Sequence, residues 1–202
     1  MTALLANGPI FDYHALFQRL QSFKFLVAVD GGLRHFHALK LRPDLIIGDF
    51  DSIPEALLTS YKDVLKKKYP TLKDASDLEL ALEEVTFPAT LFGALHERMD
   101  HSLYTLYLLE KYREKLTIET EIEVIMALKP STKIPAKKGQ TLSLMPLCEP
   151  ATAVSTEGLR WELKNHELNM SFKSLSNVAI KNHPLINYEK GCIICFIQKG
   201  VT

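Results

Sequence analysis

Two carboxylates, Asp49 and Asp51, flank a single phenylalanine in "IIGDFDSIPEAL" (46–57), at the end of a strongly apolar run. If the backbone stays extended past that run, alternation puts both acids on one face and sends Phe50 the other way, into a core. Like charges held that close need protons, water or a cation, and a bound divalent metal is the usual stable arrangement. Two more acids stand where a strand or loop gives way to a helix. Asp30 closes "FLVAVD" and precedes Gly31-Gly32, a pair that lets backbone approach a ligand closely. Asp77 follows Ser76, and Ser76 to Glu79 has the spacing of a capping box, as does Ser52 to Glu55.

Carboxylates do not bind phosphate directly. They bind Mg²⁺, which prefers oxygen ligands and takes one or two carboxylates together with phosphate oxygens. In open α/β sheets, ligands sit beyond the carboxyl ends of the strands, so acids at these junctions read as a metal-nucleotide site. A single Asp at a helix start is more often a cap, and Asp12 and Asp63 are read that way. In "GDFDS" the two in-phase acids exceed any capping need. A further junction, "ATLFGALHERMDH" (89–101), offers Arg98 to neutralise phosphate charge and Asp100 to accept a proton from a hydroxyl. On its own an R-x-D pair is common at surfaces, and both Asp100 and His101 suit a helix start.

These residues need a scaffold. "TALLAN", "FLVAVD", "LIIGDFD", "ATLFG" and "EIEVIMAL" read as strands, while 54–68, 77–85 and 101–115 carry apolar residues at helical spacing. The Lys66-Lys67-Lys68 run is read as the solvated face of a helix. Buried strands alternating with helices predict an α/β unit: a mostly parallel sheet with flanking helices in a three-layer, Rossmann-like arrangement. After Lys129 the texture changes. "KPSTKIPAKKGQ" is followed by short alternating runs, "TLSLMPL", "TAVST", "LRWELK", "LNMSFKSLS" and "GCIICFIQ". The predicted domains are therefore 1–129, α/β, and 130–202, a smaller all-β sandwich or jelly roll.

Composition narrows the function classes. The 202 residues are 47% hydrophobic, and Lys plus Arg equals Asp plus Glu at 24 each, so no global field recruits nucleic acid or an anionic membrane. The first thirty residues lack the order of a secretory signal and no run reaches membrane-spanning length, which predicts a cytoplasmic protein. Cys148, Cys192 and Cys195 are too few for a disulfide framework. Cys192 and Cys195 form a C-x-x-C inside an apolar run without a second pair, and are read as buried structural thiols rather than zinc ligands. His35 and His37 do not form a metal pair, since residues two apart on a helix point in different directions.

In order along the chain, "AVDGGLRHF", "RPDLIIGDFDSI", "KDASDLELAL", "RMDH", "TLSLMPL", "STEGLRWELKNHEL" and "SLSN" resemble the thiamine pyrophosphokinase family, from Asn7 to the final strand. The resemblance implies a catalytic α/β domain that binds ATP and Mg²⁺, a β-sandwich that helps bind thiamine, and a homodimer with active sites between subunits. It implies transfer of the pyrophosphoryl group of ATP to the thiamine hydroxyl, giving thiamine diphosphate and AMP. By match to the family motifs, Asp49, Asp51 and Asp77 are the metal-binding carboxylates. Asp30, Gly31, Gly32, Ser52, Arg98 and His101 fall to the nucleotide, and Asp100 lies nearest the thiamine hydroxyl. Ser174, Ser176 and Asn177 fall to the aminopyrimidine. Trp161 is assigned to stacking on thiamine across the dimer interface, whereas alternation in "LRWEL" places it beside Leu159 and Leu163, in a core. The chain departs from the family where His96 and Glu97 replace small residues before R-x-D-H, and mildly at Ser76, where threonine is usual. Two rivals stand beside this reading: a degenerate relative that binds thiamine or nucleotide without turnover, and a Mg²⁺-dependent phosphohydrolase.

Overall fold

The structure, a computed structural model, describes residues 1–95 and 98–200; the substituted pair His96-Glu97 lies outside the described residues. The chain forms two compact units, Met1–Leu108 and Leu109–Thr202. The first carries strands β1 (Thr2–Leu5), β2 (Phe25–Val29), β3 (Leu45–Gly48), β4 (Leu65–Lys68) and β5 (Ala89–Phe92). Helices α1 (Tyr13–Leu20), α2 (Leu33–Leu39), α3 (Glu55–Ser60) and α4 (Asp77–Glu84) lie between them, and α5 (Met99–Lys111) runs across the division between the units.

β1, β3 and β5 are buried at every position, as continuous apolar runs in the middle of a parallel sheet must be. The strand order is β5-β1-β2-β3-β4, with every pair parallel. Parallel pairing brings the carboxyl ends to one edge: Leu5 lies opposite Ala28, and Val29 opposite Ile47. The residues that follow these strands, Asn7, Asp30 and Asp49, therefore emerge together. The chain steps outward from β1 to β4 and then returns to the other side of β1 for β5. The β1/β5 gap is thus the switch point where such sheets bind ligands.

Asp12 caps α1 by accepting from the Ala15 N–H at 2.9 Å, and the helix contributes Leu16 and Leu20 to the core that also holds Phe36, Ile46 and Phe92. Three expectations need correction. Lys66-Lys67-Lys68 is not on a helix: it forms β4, the strand at the sheet's edge, where Lys67 pairs with Glu84. Lysines on an edge strand discourage pairing with another chain. The helix expected over 54–68 is only α3. Its N-cap is Pro54, so the Ser52–Glu55 capping box does not form.

The second unit is antiparallel. One sheet has the order β12-β9-β14-β7-β6, comprising β6 (Leu116–Glu119), β7 (Glu123–Leu128), β9 (Thr141–Pro146), β12 (Ser174–Val178) and β14 (Ile193–Gln198). The other, β11-β10-β13-β8, comprises β8 (Thr132–Lys133), β10 (Ala151–Glu157), β11 (His166–Leu168) and β13 (Leu185–Asn187). Leu142, Leu144, Ile193 and Cys195 of the first share a core with Ala151, Val154, Leu168 and Ile186 of the second, the sandwich expected from the alternating runs. "LRWELK" forms no strand. Cys192 and Cys195 are free and buried, and burial pushes their thiols up to about 11 and about 12, so neither is a nucleophile at neutral pH.

Candidate active site

The acids converge by tight turns rather than by pleating. β3 ends at Gly48, and Phe50 takes the left-handed conformation at φ 68° with its ring packed against the core. That turn, not an extended strand, brings Asp49 and Asp51 to one side, and the Asp51 N–H donates to Asp49 Oδ1 at 3.1 Å. A phenylalanine with positive φ is strained, and such strain persists where the surrounding structure holds it. Asp30 opens a 3-10 turn, also at positive φ (45°), and accepts from the Ser52 hydroxyl at 2.5 Å. Ser52 therefore ties the β3 turn to the β2 turn instead of capping α3.

Glycine makes this closeness possible. A Cβ on Gly48 would stand 2.9 Å from Asp30 Cβ, and one on Gly32 would meet the Leu5 carbonyl oxygen at 2.0 Å. What approaches the Asp-Gly-Gly turn closely here is the protein itself: a Cβ on Gly31 would meet the side chains of Asn7 and Ser52.

One carboxylate oxygen each from Asp30, Asp49 and Asp51 lies within 4.8 Å of the others. Asp77 joins through Lys73, whose Nζ lies 3.2 Å from Asp49 Oδ2 and 2.9 Å from Asp77 Oδ1. Ser76 caps α4 by accepting from the Glu79 N–H, which puts Asp77 in the first turn. Burial pushes Asp49 up, but the Asp51 N–H and the Lys73 ammonium outweigh it, and the carboxyl ends below its ordinary range. Asp51 is raised, chiefly by the charge of Asp49 beside it. Burial raises Asp77 despite Lys73, while Lys73 is raised because its two carboxylates outweigh burial. Asp30 Oδ1 is buried without a hydrogen-bond partner among the described residues. Three clustered carboxylates, one of them with a buried and unpartnered oxygen, are a donor set suited to a hard divalent cation.

Arg98 and Asp100 sit at the start of α5, both exposed, joined by two hydrogen bonds at 2.6 and 3.3 Å. His101 is exposed in the same turn. Hydrogen bonding from Arg98 holds the Asp100 carboxyl below its usual range.

In the second unit Trp161 is 57% exposed whereas Leu159 and Leu163 are buried, so the core position drawn from alternation is wrong for Trp161. Asn177 is buried. Its amide donates to the Trp161 carbonyl at 2.7 Å and to Ser174 Oγ at 3.2 Å, while its oxygen accepts from the Trp161 and Val178 N–H groups. All of its hydrogen-bonding capacity is thus spent on holding the Trp161 loop against β12. Ser176 is exposed at φ 55° in the bulge between β12 and β9.

Two residues of this neighbourhood went unassigned in the sequence. Lys73 stands four before Asp77, a spacing visible in "KDASD", and Asn7 follows β1 as Asp30 follows β2. The Asn7 Oδ1 is buried without a partner among the described residues.

Residues 16–122 match the family model "Thiamin pyrophosphokinase, catalytic domain", and residues 129–193 match "Thiamin pyrophosphokinase, vitamin B1 binding domain". The chain belongs to the thiamin pyrophosphokinase family. Thiamine pyrophosphokinase 1 of Arabidopsis thaliana is 26% identical over 147 residues, covering 64% of this chain and 55% of the relative, so the chain spans about half the length of the curated relatives it matches. Among solved structures, the thiamine pyrophosphokinase of Bacillus subtilis aligns over 99% of both chains with 22% identity and a TM-score of 0.84. The yeast enzyme aligns over 98% of this chain and 85% of its own, with 19% identity and a TM-score of 0.86. These likenesses establish the family fold. The acids described above lie within the matched catalytic region, and Trp161, Ser174 and Asn177 within the matched vitamin B1 region.

Proposed function

We propose that this protein transfers the pyrophosphoryl group of ATP to the hydroxyl of thiamine, giving thiamine diphosphate and AMP. The observation that carries the reading is the convergence of Asp30, Asp49 and Asp51, with Asp77 joined through Lys73, at the carboxyl edge of a parallel sheet. Asp49, Asp51 and Asp77 would hold Mg²⁺, with Asp30 beside them. Bound there, Mg²⁺ would neutralise charge that builds on the phosphate oxygens during transfer.

The chain's own residues supply the rest. Ser52 fixes the Asp30 carboxylate, and the Gly31-Gly32 turn lets the β2 end pack against β1. Arg98 offers a guanidinium to the phosphates, with His101 in the same turn. A carboxylate paired with arginine is a weak base, so Asp100 orients the attacking hydroxyl and takes its proton late in the transfer. The reaction needs no covalent intermediate. Trp161 offers an exposed indole face suited to a cationic thiazolium, with Asn177 and Ser174 bracing its loop and Ser176 exposed nearby in the sequence. Exposed apolar side chains of the second unit, among them Trp161, Met170, Phe172 and Leu175, support assembly as a homodimer, and three unpaired cysteines support the cytoplasm as its compartment. The division of labour follows the change of texture at 129/130, with nucleotide and metal before it and thiamine after it.

The test is the purified protein with ATP, Mg²⁺ and thiamine. AMP and thiamine diphosphate should appear in equal amounts, with AMP absent when thiamine is omitted. Release of inorganic phosphate without thiamine would support a phosphohydrolase, and thiamine binding without AMP would support a non-catalytic binder.

A further inference from the structure

Lys73 occupies an unusual position for a lysine. Its side chain is only 14% exposed, and its ammonium lies between Asp49, 9% exposed, and Asp77, 21% exposed. Charges this sheltered are tolerated only when paired. The two oxygens it touches belong to residues proposed to ligate the divalent cation. An ammonium and a divalent cation compete for these carboxylates, because positive charges a few ångströms apart in a sheltered site repel. Without the ammonium, Asp49 would stand among the Asp77, Asp51 and Asp30 carboxylates with no positive charge between them to offset their repulsion.

We propose that Lys73 is a built-in counterion: in the cation-free protein it holds Asp49 and Asp77 together, and a divalent cation binds by displacing it. The inference rests on the acids being the cation site, as argued under Proposed function. Such a lysine does two things. It keeps the carboxylates gathered while no metal is bound, and it handicaps a free cation relative to one arriving with a polyphosphate, because the displaced ammonium then needs an anion and the polyphosphate supplies one. Lys73 is thus a positioning residue that acts through Asp49 and Asp77, and it biases the site toward the metal-nucleotide complex.

Calorimetric titration with MnCl2 alone, in the absence of nucleotide and thiamine, tests this on the full chain and on Lys73→Met, Lys73→Gln and Lys73→Arg. Removing the charge should tighten Mn²⁺ binding about tenfold in the Met and Gln variants, while Arg stays near wild type. Binding of α,β-methylene-ATP with Mn²⁺ should move the opposite way, weakening about tenfold in Met and Gln. A merely structural lysine would not produce opposite signs. Unchanged or weaker Mn²⁺ binding in Met and Gln variants that keep a cooperative unfolding transition would overturn the proposal, as would an Arg variant that behaves like Met. Absence of Mn²⁺ binding by every protein would overturn the cation-site reading along with it. Because no titration contains thiamine, a failure to make thiamine diphosphate would leave these outcomes untouched.

Discussion

His35, buried in α2, shows how far one side chain's chemistry follows from its contacts. The Gly8 carbonyl can only accept, so His35 Nε2 donates to it at 2.9 Å and Nδ1 accepts from the Tyr13 hydroxyl at 2.8 Å. Burial, helped by the neighbouring Arg34, lowers the ring from 6.5 to about 4, so it is neutral in the fold. In the unfolded chain it protonates below about pH 6.5. The unfolded state therefore binds more protons between these values: the residue has no effect above pH 6.5, and stability falls as the pH drops toward 4. The gap corresponds to about 3 kcal/mol. Urea unfolding at pH 7.0 and pH 4.5 should show a stability loss about 2–3 kcal/mol smaller in His35→Gln than in wild type. Equal losses would mean that His35 is charged in the fold. Helical spacing excludes a His35–His37 metal pair but gives no sign of this burial, because the partners Gly8, in the β1–α1 connection, and Tyr13, opening α1, are distant in sequence. The acids were more legible, since strand-end carboxylates announce themselves by type and place. Lys73 was not, because its contacts depend on the path of the loop before α4.

At the level of elements, the site depends on three strand ends lying almost in contact. Gly32→Ala would drive a Cβ into the Leu5 carbonyl, a backbone atom that cannot swing aside, whereas a Cβ on Gly139 meets nothing within 4 Å. Gly32→Ala should therefore cost about 3 kcal/mol, and Gly139→Ala only about 1 kcal/mol from its positive φ. Denaturant midpoints would check the difference, and equal costs would show that β1 and the Asp30 turn can separate cheaply. The same closeness explains what pattern reading missed here. "GDFDS" predicted convergent carboxylates by strand alternation, yet the chain achieves it with a left-handed Phe50, which periodicity cannot reveal. Likewise Ser52 had the spacing of a cap and instead bonds Asp30, a tertiary contact. Charge alone did not distinguish a helix face from an edge strand in Lys66-Lys67-Lys68, whereas the buried strands β1, β3 and β5 were legible because continuous apolar runs of that length have few other uses.

For the molecule as a whole, the proposed function assigns the metal and nucleotide to the acidic edge of the first unit and thiamine to the exposed Trp161 of the second. If Trp161 stacks on thiamine as proposed, Trp161→Ala should raise KM for thiamine about tenfold while changing KM for ATP little, since a cation–π contact is worth about 1–2 kcal/mol. Steady-state kinetics with each substrate varied in turn would show the split, and equal changes would remove Trp161 from the thiamine site. Trp161 also marks where alternation fails: "LRWEL" is not a strand, so its residues do not alternate, and the buried Asn177 pins the loop with the indole outward. Whether the clustered acids act through a bound divalent cation is decided by AMP formation in Asp49→Asn and Asp51→Asn, alongside their unfolding curves. Both variants should keep a single cooperative unfolding transition while turnover falls about a hundredfold or more in each. Wild-type turnover in both would contradict it.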